Sequence, residues 1–203
     1  MTLINFHTHR PAASPCERVV QDGIDTWGIH PWHATEASPE TVPPANILAV
    51  GECGLDSLCP TPMDVQMKAF RRCIAISEER GVPLFLHCVR QMEPCLTLRR
   101  KMNCTQPWIW HGFRGNARRL QRLVSEGFYI SFGFHYVPEA VLACPLDRLL
   151  LETDDDPRPI TELYAQISTL LGMETTKLAR RMQANFDALF PQSFEERKTP
   201  FAV

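Results

Sequence analysis

Residues 3–9 read Leu3-Ile4-Asn5-Phe6-His7-Thr8-His9, a short apolar run that stops at two histidines. Residues two apart on a strand point the same way, so both imidazoles fall on one face at the end of the run. The same punctuation recurs down the chain. Thr26–Ile29 runs into His30 and His33, Ile47–Val50 into Gly51-Glu52, and Val82–Leu86 into His87. Trp108–Trp110 runs into His111, and Arg148–Leu151 into Glu152-Thr153-Asp154. Six runs of strand length therefore deliver a histidine or an acid at their C-terminal ends. Phe128–Phe132 is a further run, and Arg18–Gln21 a weaker one.

Helix patterns separate several of these runs. Thr61-Pro62 reads as an N-cap followed by proline at the first helical position, and Val65, Ala69, Phe70, Cys73 and Ile74 follow at helical spacing up to Gly81. Asn116–Glu126 repeats the logic with Gly127 as its stop, and 160–171 and 175–190 read as two terminal helices. Prolines cluster in 31–62, much of which reads as loop. Strands alternating with helices imply a parallel sheet. Seven or eight of them predict an α/β fold of the TIM-like (β/α) barrel type, compact at 203 residues. An open doubly wound sheet is the alternative. Neither GxGxxG nor GxxxxGK[ST] occurs, so its nucleotide-binding versions have no support.

Composition bounds the rest. Hydrophobic residues make up 44% and charged residues 22%, with a formal net charge of -2, which excludes wholesale disorder and a bulk electrostatic coat for nucleic acid. The length and the lack of a linker predict one domain over 1–203, with its core at about 3–190. The eight cysteines form no CxxC pair, and no apolar run approaches the roughly 20 residues of a membrane helix. No secretory signal is legible at the start. The expected setting is the cytoplasm, with reduced thiols and no membrane or obligate protein partner.

In a barrel, the C-terminal ends of the strands share the face where active sites sit. Four histidines and two carboxylates meeting there suit Zn²⁺ and, with weaker preference, Mn²⁺, Ni²⁺ or Fe²⁺. Six ligands exceed the need of one tetrahedral ion, which favours two. Such a centre suits metal-assisted hydrolysis. Arg90 is placed to grip a phosphate, and His30 to donate to one. His33 reads as a loop residue.

These segments, in this order, resemble the TatD family of metal-dependent hydrolases, in the amidohydrolase-like group of barrels. The resemblance rests on Phe6-His7-Thr8-His9, Gly28-Ile29-His30-Pro31, Gly51-Glu52-Cys53-Gly54-Leu55-Asp56, Leu86-His87-Cys88-Val89-Arg90, His111-Gly112-Phe113, Ser131-Phe132-Gly133, Leu151-Glu152-Thr153-Asp154, Asn185 and Leu189-Phe190. It implies a dinuclear site of two divalent ions (Zn, Mg or Mn). His7, His9, Glu52 and Asp154 would hold one ion, and Glu52 would bridge to a second held by His87 and His111. Related barrels often bridge with a modified lysine. The four lysines here, Lys68, Lys101, Lys177 and Lys198, end no predicted strand, which fits a bridging Glu52.

The resemblance further implies phosphodiester hydrolysis in DNA, often stepwise from a 3′ end, with Asp154 orienting the attacking water and acting as general base. Two departures stand out. Asn5 replaces the family's usual Asp, and Asp154-Asp155-Asp156-Pro157 replaces its Asp-small-Pro ending. Only 18 residues separate His9 from Gly28, so the first helix of the barrel is expected to be missing and the second strand short.

Arg114, Arg118, Arg119 and Arg122, with Arg99-Arg100-Lys101, offer a nucleic-acid track, Arg114 nearest the site. Trp32, Phe113, Phe134 and Tyr136 are candidates for stacking on bases. The rival readings are a hydrolase of a small phosphoester, ester or amide on the same barrel, a phosphoesterase of the polymerase-and-histidinol-phosphatase class, and a non-catalytic metal-binding module. The charged stretch 195–198 reads as a loose end.

Overall fold

A computed structural model describes residues 1–191. Every apolar run becomes a strand: β1 (Leu3–Thr8), β2 (Glu17–Gln21), β3 (Thr26–Trp27), β4 (Ala49–Asp56), β5 (Leu84–Val89), β6 (Trp108–Trp110), β7 (Tyr129–Phe132) and β8 (Leu149–Leu151). Strands β3 to β8 lie in chain order in one parallel sheet, and β1 pairs in parallel with β2. The two pieces join where Thr8 bridges Asp154, with the Asp154 N–H donating to the His7 carbonyl at 3.0 Å. Around the barrel the order is β2-β1-β8-β7-β6-β5-β4-β3. Between β2 and β3 the wall continues through a turn, in which the Asp25 N–H donates to the Gln21 carbonyl at 2.8 Å and Asp25 Oδ2 accepts from the Gln21 N–H at 2.9 Å.

This is a TIM-like barrel without its first helix. Residues 9–16 alone connect the parallel strands β1 and β2, and β3 follows after a four-residue turn. Strands β1 and β4 are buried at every position, as expected of parallel strands covered on both faces.

The outer helices are α1 (Met63–Arg80), α2 (Met92–Lys101), α3 (Ala117–Ser125), α4 (Pro138–Ala143), α5 (Ile160–Leu170) and α6 (Thr175–Leu189). Helix α1 buries Val65, Ala69, Phe70, Cys73 and Ile74 and ends at Gly81 in the left-handed region, φ +64°. Its start differs from the expectation by one residue. Pro62 occupies the cap position and supplies no side-chain cap bond. Gln66 performs the tethering, donating from Nε2 to the carbonyls of Thr61 at 2.7 Å and Asp56 at 3.0 Å. Helix α3 starts as expected, with Asn116 Oδ1 accepting from the Arg119 N–H at 3.0 Å.

Helices α2 and α4, and the single turns Pro31–His33 and Ser38–Glu40, are additions to the sequence reading. Helices α5 and α6 close the barrel behind β1 and β8. The Tyr164 hydroxyl donates to the Ile4 carbonyl at 2.9 Å and accepts from its N–H at 3.0 Å. Asn185 Nδ2 donates to the carbonyls of Leu146 and Leu149, both at 2.8 Å. The stretch 195–198 lies outside the described residues.

Candidate metal centre

Glu52 sits at the middle of the strand-end face, 7% exposed. Its neighbours approach closely because glycines line the way. A Cβ on Gly54 would collide with the His87 carbonyl oxygen, and one on Gly28 with the carbonyl oxygen of Glu52 itself. Strands β3, β4 and β5 can therefore converge around this carboxylate.

Five imidazoles surround it, divided between its two oxygens. On the Oε1 side stand His7 Nε2 at 2.8 Å and His9 Nε2 at 3.2 Å. Asp154 Oδ1 joins them, 3.4 Å from His9 Nε2 and 3.8 Å from His7 Nε2. On the Oε2 side stand His111 Nε2 at 3.0 Å, His87 Nδ1 at 3.4 Å and His30 Nε2 at 3.7 Å. Asp154 is held in the left-handed region, φ +53°, a conformation that Asp tolerates better than most residues.

The electrostatics follow from this crowding. Burial alone would raise the Glu52 pKa, but the charge and hydrogen bond of His111, then His7 and His87, outweigh it and hold the carboxyl far below its usual range. The hydrogen bond to Asp154, then that to Glu52, raises His9 to about 10. Burial opposes charge on His111, yet Glu52 and Glu152 keep its pKa well above the ordinary value. His30 goes the other way: burial, then the neighbouring His87, pushes it down to about 4.

The Trp32 N–H donates to His30 Nδ1 at 3.3 Å, so neutral His30 turns its Nε2–H toward Glu52 Oε2. Among the described residues the buried Nδ1 of His7 has no hydrogen-bond partner. Imidazoles and carboxylates converging in this way fit divalent metal ions.

All six expected ligands, and His30, are therefore brought together. His33 stands exposed at the rim. Arg90 and Arg114 are exposed on the wall of a groove of about 710 Å³ that reaches His87, His111 and Asp154. Three members of the wider basic track are spent on ion pairs and packing, while Arg119 lines the same groove. Arg122 pairs with Glu93 and Arg100 with Glu126, while Arg99 lies over the rings of Trp108 and Phe128.

Three buried groups support the centre; the sequence reading set Asn5 behind the ligands and gave no role to Asp56 and Glu152. Asp56 Oδ2 lies 3.1 Å from His87 Nε2, and Glu152 Oε1 lies 3.6 Å from His111 Nδ1. Asn5 ties β1 to Thr153. The signal for two of them was the period of two, since Asp56 shares a strand face with Glu52, and Glu152 stands two residues before Asp154.

A parallel barrel whose strand ends pool histidines and carboxylates around one central acid defines the metal-dependent hydrolases of the amidohydrolase-like class. Among the described residues no helix is long and apolar enough to cross a membrane. The sequence model of the family described as "TatD related DNase" matches residues 6–191, and the chain belongs to that family. It is therefore a metal-dependent hydrolase of phosphodiester bonds.

A curated relative from Erwinia amylovora, named "3'-5' ssDNA/RNA exonuclease TatD", is 30% identical over 205 residues, covering 81% of this chain and 77% of the relative. The protein of that name from Escherichia coli K12 is 27% identical over 211 residues, covering 83% and 78%. Among solved structures, the TatD homologue YJJV from Escherichia coli K12 superposes with a TM-score of 0.72 at 21% identity, covering 88% of this chain and 78% of that one. That likeness supports the fold.

Proposed function

We infer that the chain is a single-strand nuclease that removes nucleotides from a 3′ end, using two divalent ions of the Zn, Mg or Mn kind shared by Glu52. The carrying observation is the division of the histidines between the two Glu52 oxygens. His7, His9 and Asp154 attend Oε1, and His87 and His111 attend Oε2. The direction and the single-strand preference come from the names of the relatives.

Ions bound there would polarise the phosphoryl oxygen and acidify an attacking water. Asp154 would take the proton of that water. Burial raises its pKa, but the His9 hydrogen bond and the charges of His111 and His7 outweigh this and keep it ionised. Water oxygen bonds to phosphorus as the P–O bond to the leaving oxygen breaks, and that oxygen takes up a proton. His30 faces the Oε2 side and would contact the phosphate, while Arg90 and Arg114 would hold phosphates along the groove. The reading takes 1–203 as one hydrolase domain. It sets the chain in the reducing cytoplasm, in keeping with its free cysteine thiols.

The test is hydrolysis of 3′-hydroxyl single-stranded DNA by metal-reconstituted protein beside Glu52→Ala. Stepwise shortening that needs metal and disappears in the variant supports the reading. Metal bound without any DNA cut rejects the substrate and turns attention to small phosphoesters.

A further inference from the structure

Four aromatic side chains near the strand ends are sequence candidates for contact with bases, and their surroundings separate them. Phe113 is buried against Phe132 and Trp110. Phe134 is covered by the Arg158 guanidinium, 3.8 Å from the ring centroid. Tyr136 packs, partly buried, against the hydrophobic core. Trp32 remains 50% exposed.

Trp32 is also anchored. Its Nε1–H donates to Asp56 Oδ2 at 2.8 Å, and Asp56 is 3% exposed, with Oδ1 accepting from the Leu58 N–H at 2.8 Å. The backbone under the ring is a single turn, Pro31–His33, in which His30 Nδ1 accepts from the Trp32 N–H at 3.3 Å. The turn is pinned again where the Cys59 thiol donates to the Pro31 carbonyl at 3.3 Å. The same Asp56 oxygen lies 3.1 Å from His87 Nε2, so one carboxylate separates the indole from the metal centre. Trp32 lines a hollow of about 820 Å³, together with Ile24, Trp27 and His33, that opens onto Glu52 and His87.

We propose that Trp32 is a fixed stacking platform for a nucleobase of a single strand whose phosphate lies at the Glu52 centre. The proposal rests on the nuclease reading above. The indole N–H is already committed to Asp56, so the side chain offers a ligand only its face. A face discriminates poorly between bases, as a sequence-tolerant nuclease requires. The tether also removes most of the ring's freedom before binding, so little is lost when a base settles on it. The hollow is within the size range of sites for nucleotide-sized ligands.

The experiment uses the full chain, reconstituted with metal, as native, Trp32→Ala and Trp32→Phe proteins. Thermal melts check that each variant folds. Substrates are single-stranded DNAs in which one abasic residue is walked past the scissile bond. In the native protein one abasic position should raise KM about tenfold, with a smaller change in kcat. Trp32→Ala should raise KM on intact DNA by a similar factor and erase the difference between intact and abasic substrates. Trp32→Phe, which keeps a ring but loses the bond to Asp56, should retain most of the difference.

An abasic penalty that is absent from the native protein, or that survives Trp32→Ala, overturns the proposal. A purely structural role for Trp32 would leave the penalty intact. Anisotropy with a phosphorothioate oligonucleotide separates the two readings. If native protein binds it about tenfold tighter than Trp32→Ala yet cuts no DNA, the platform stands and the nuclease reading falls. Equal binding by both proteins rejects the platform.

Discussion

Asn5 and Thr153 clasp each other twice, the Asn5 Oδ1 accepting the Thr153 N–H at 3.0 Å and its Nδ2 donating to the Thr153 Oγ1 at 2.9 Å. The same Nδ2 donates to Glu17 Oε1 at 3.1 Å. This clasp closes β1 against β8 just below His7 and Asp154. It also explains an amide where the resemblance leads one to expect a carboxylate, because an Asp here would meet Glu17. Asn5→Ala should cost about 2 kcal/mol by leaving a buried N–H unpaired. Asn5→Asp should be less stable than the parent at neutral pH and recover part of the loss on acidification. Its carboxyl pKa would be raised by Glu17, so its unfavourable charge disappears as pH falls. Urea denaturation across pH checks both variants.

Glu52→Gln keeps the size of the side chain and removes the charge that both sets of histidines face. Metal content, read by elemental analysis after gel filtration, should fall to background. Hydrolysis should drop by more than about a hundredfold, beyond the usual loss for an outer partner of a ligand. A variant that still carries metal would argue against a shared carboxylate.

Chelated protein should show a specific pH profile. His9 has a folded pKa of about 10 against 6.5 unfolded, so its stabilising share is complete below 6.5 and is lost as pH climbs toward 10. Glu52 and Asp154 are shifted down, so their share is present above their unfolded values and is lost as acid protonates them in the folded state. Denaturation midpoints in EDTA should therefore decline on both flanks. Metal affinity should instead rise with pH until about 10, because the ion displaces the His9 proton. Zinc titration calorimetry in two buffers of different ionisation enthalpy would register that released proton.

Arg90→Ala and Arg114→Ala should each weaken binding of single-stranded DNA without regard to sequence. If each contacts one phosphate, the slope of log affinity against log salt should become shallower by about 0.7 per variant. Unchanged slopes would mean that these guanidinium groups are solvated rather than on the path of the strand.

Much of this architecture was legible because buried parallel strands announce themselves as short apolar runs. Even β2, with only Val20 fully buried, and the two-residue β3 lie within runs that could be read. Helix α2 was harder, because Cys95, Leu96 and Leu98 give it only a brief buried stripe, and α4 spans only six residues. The expected ligands were visible at the ends of runs. Asp56 and Glu152 were not assigned roles, since an acid serving a histidine has no spacing of its own beyond the alternation of its strand. The fate of the arginines was invisible for another reason. The partners Glu93 and Glu126 lie 29 and 26 residues away from Arg122 and Arg100, a separation that only the folded chain closes.

The clasp that closes the barrel joins positions 148 residues apart. Asp154 enters just after it, so a chain still being translated owns His7 and His9 long before it owns the acid that completes their side of the centre. Until β8 has left the ribosome and docked on β1, no strand end presents that set. The set therefore waits on β8, and a product released before it carries histidines without their partner acid.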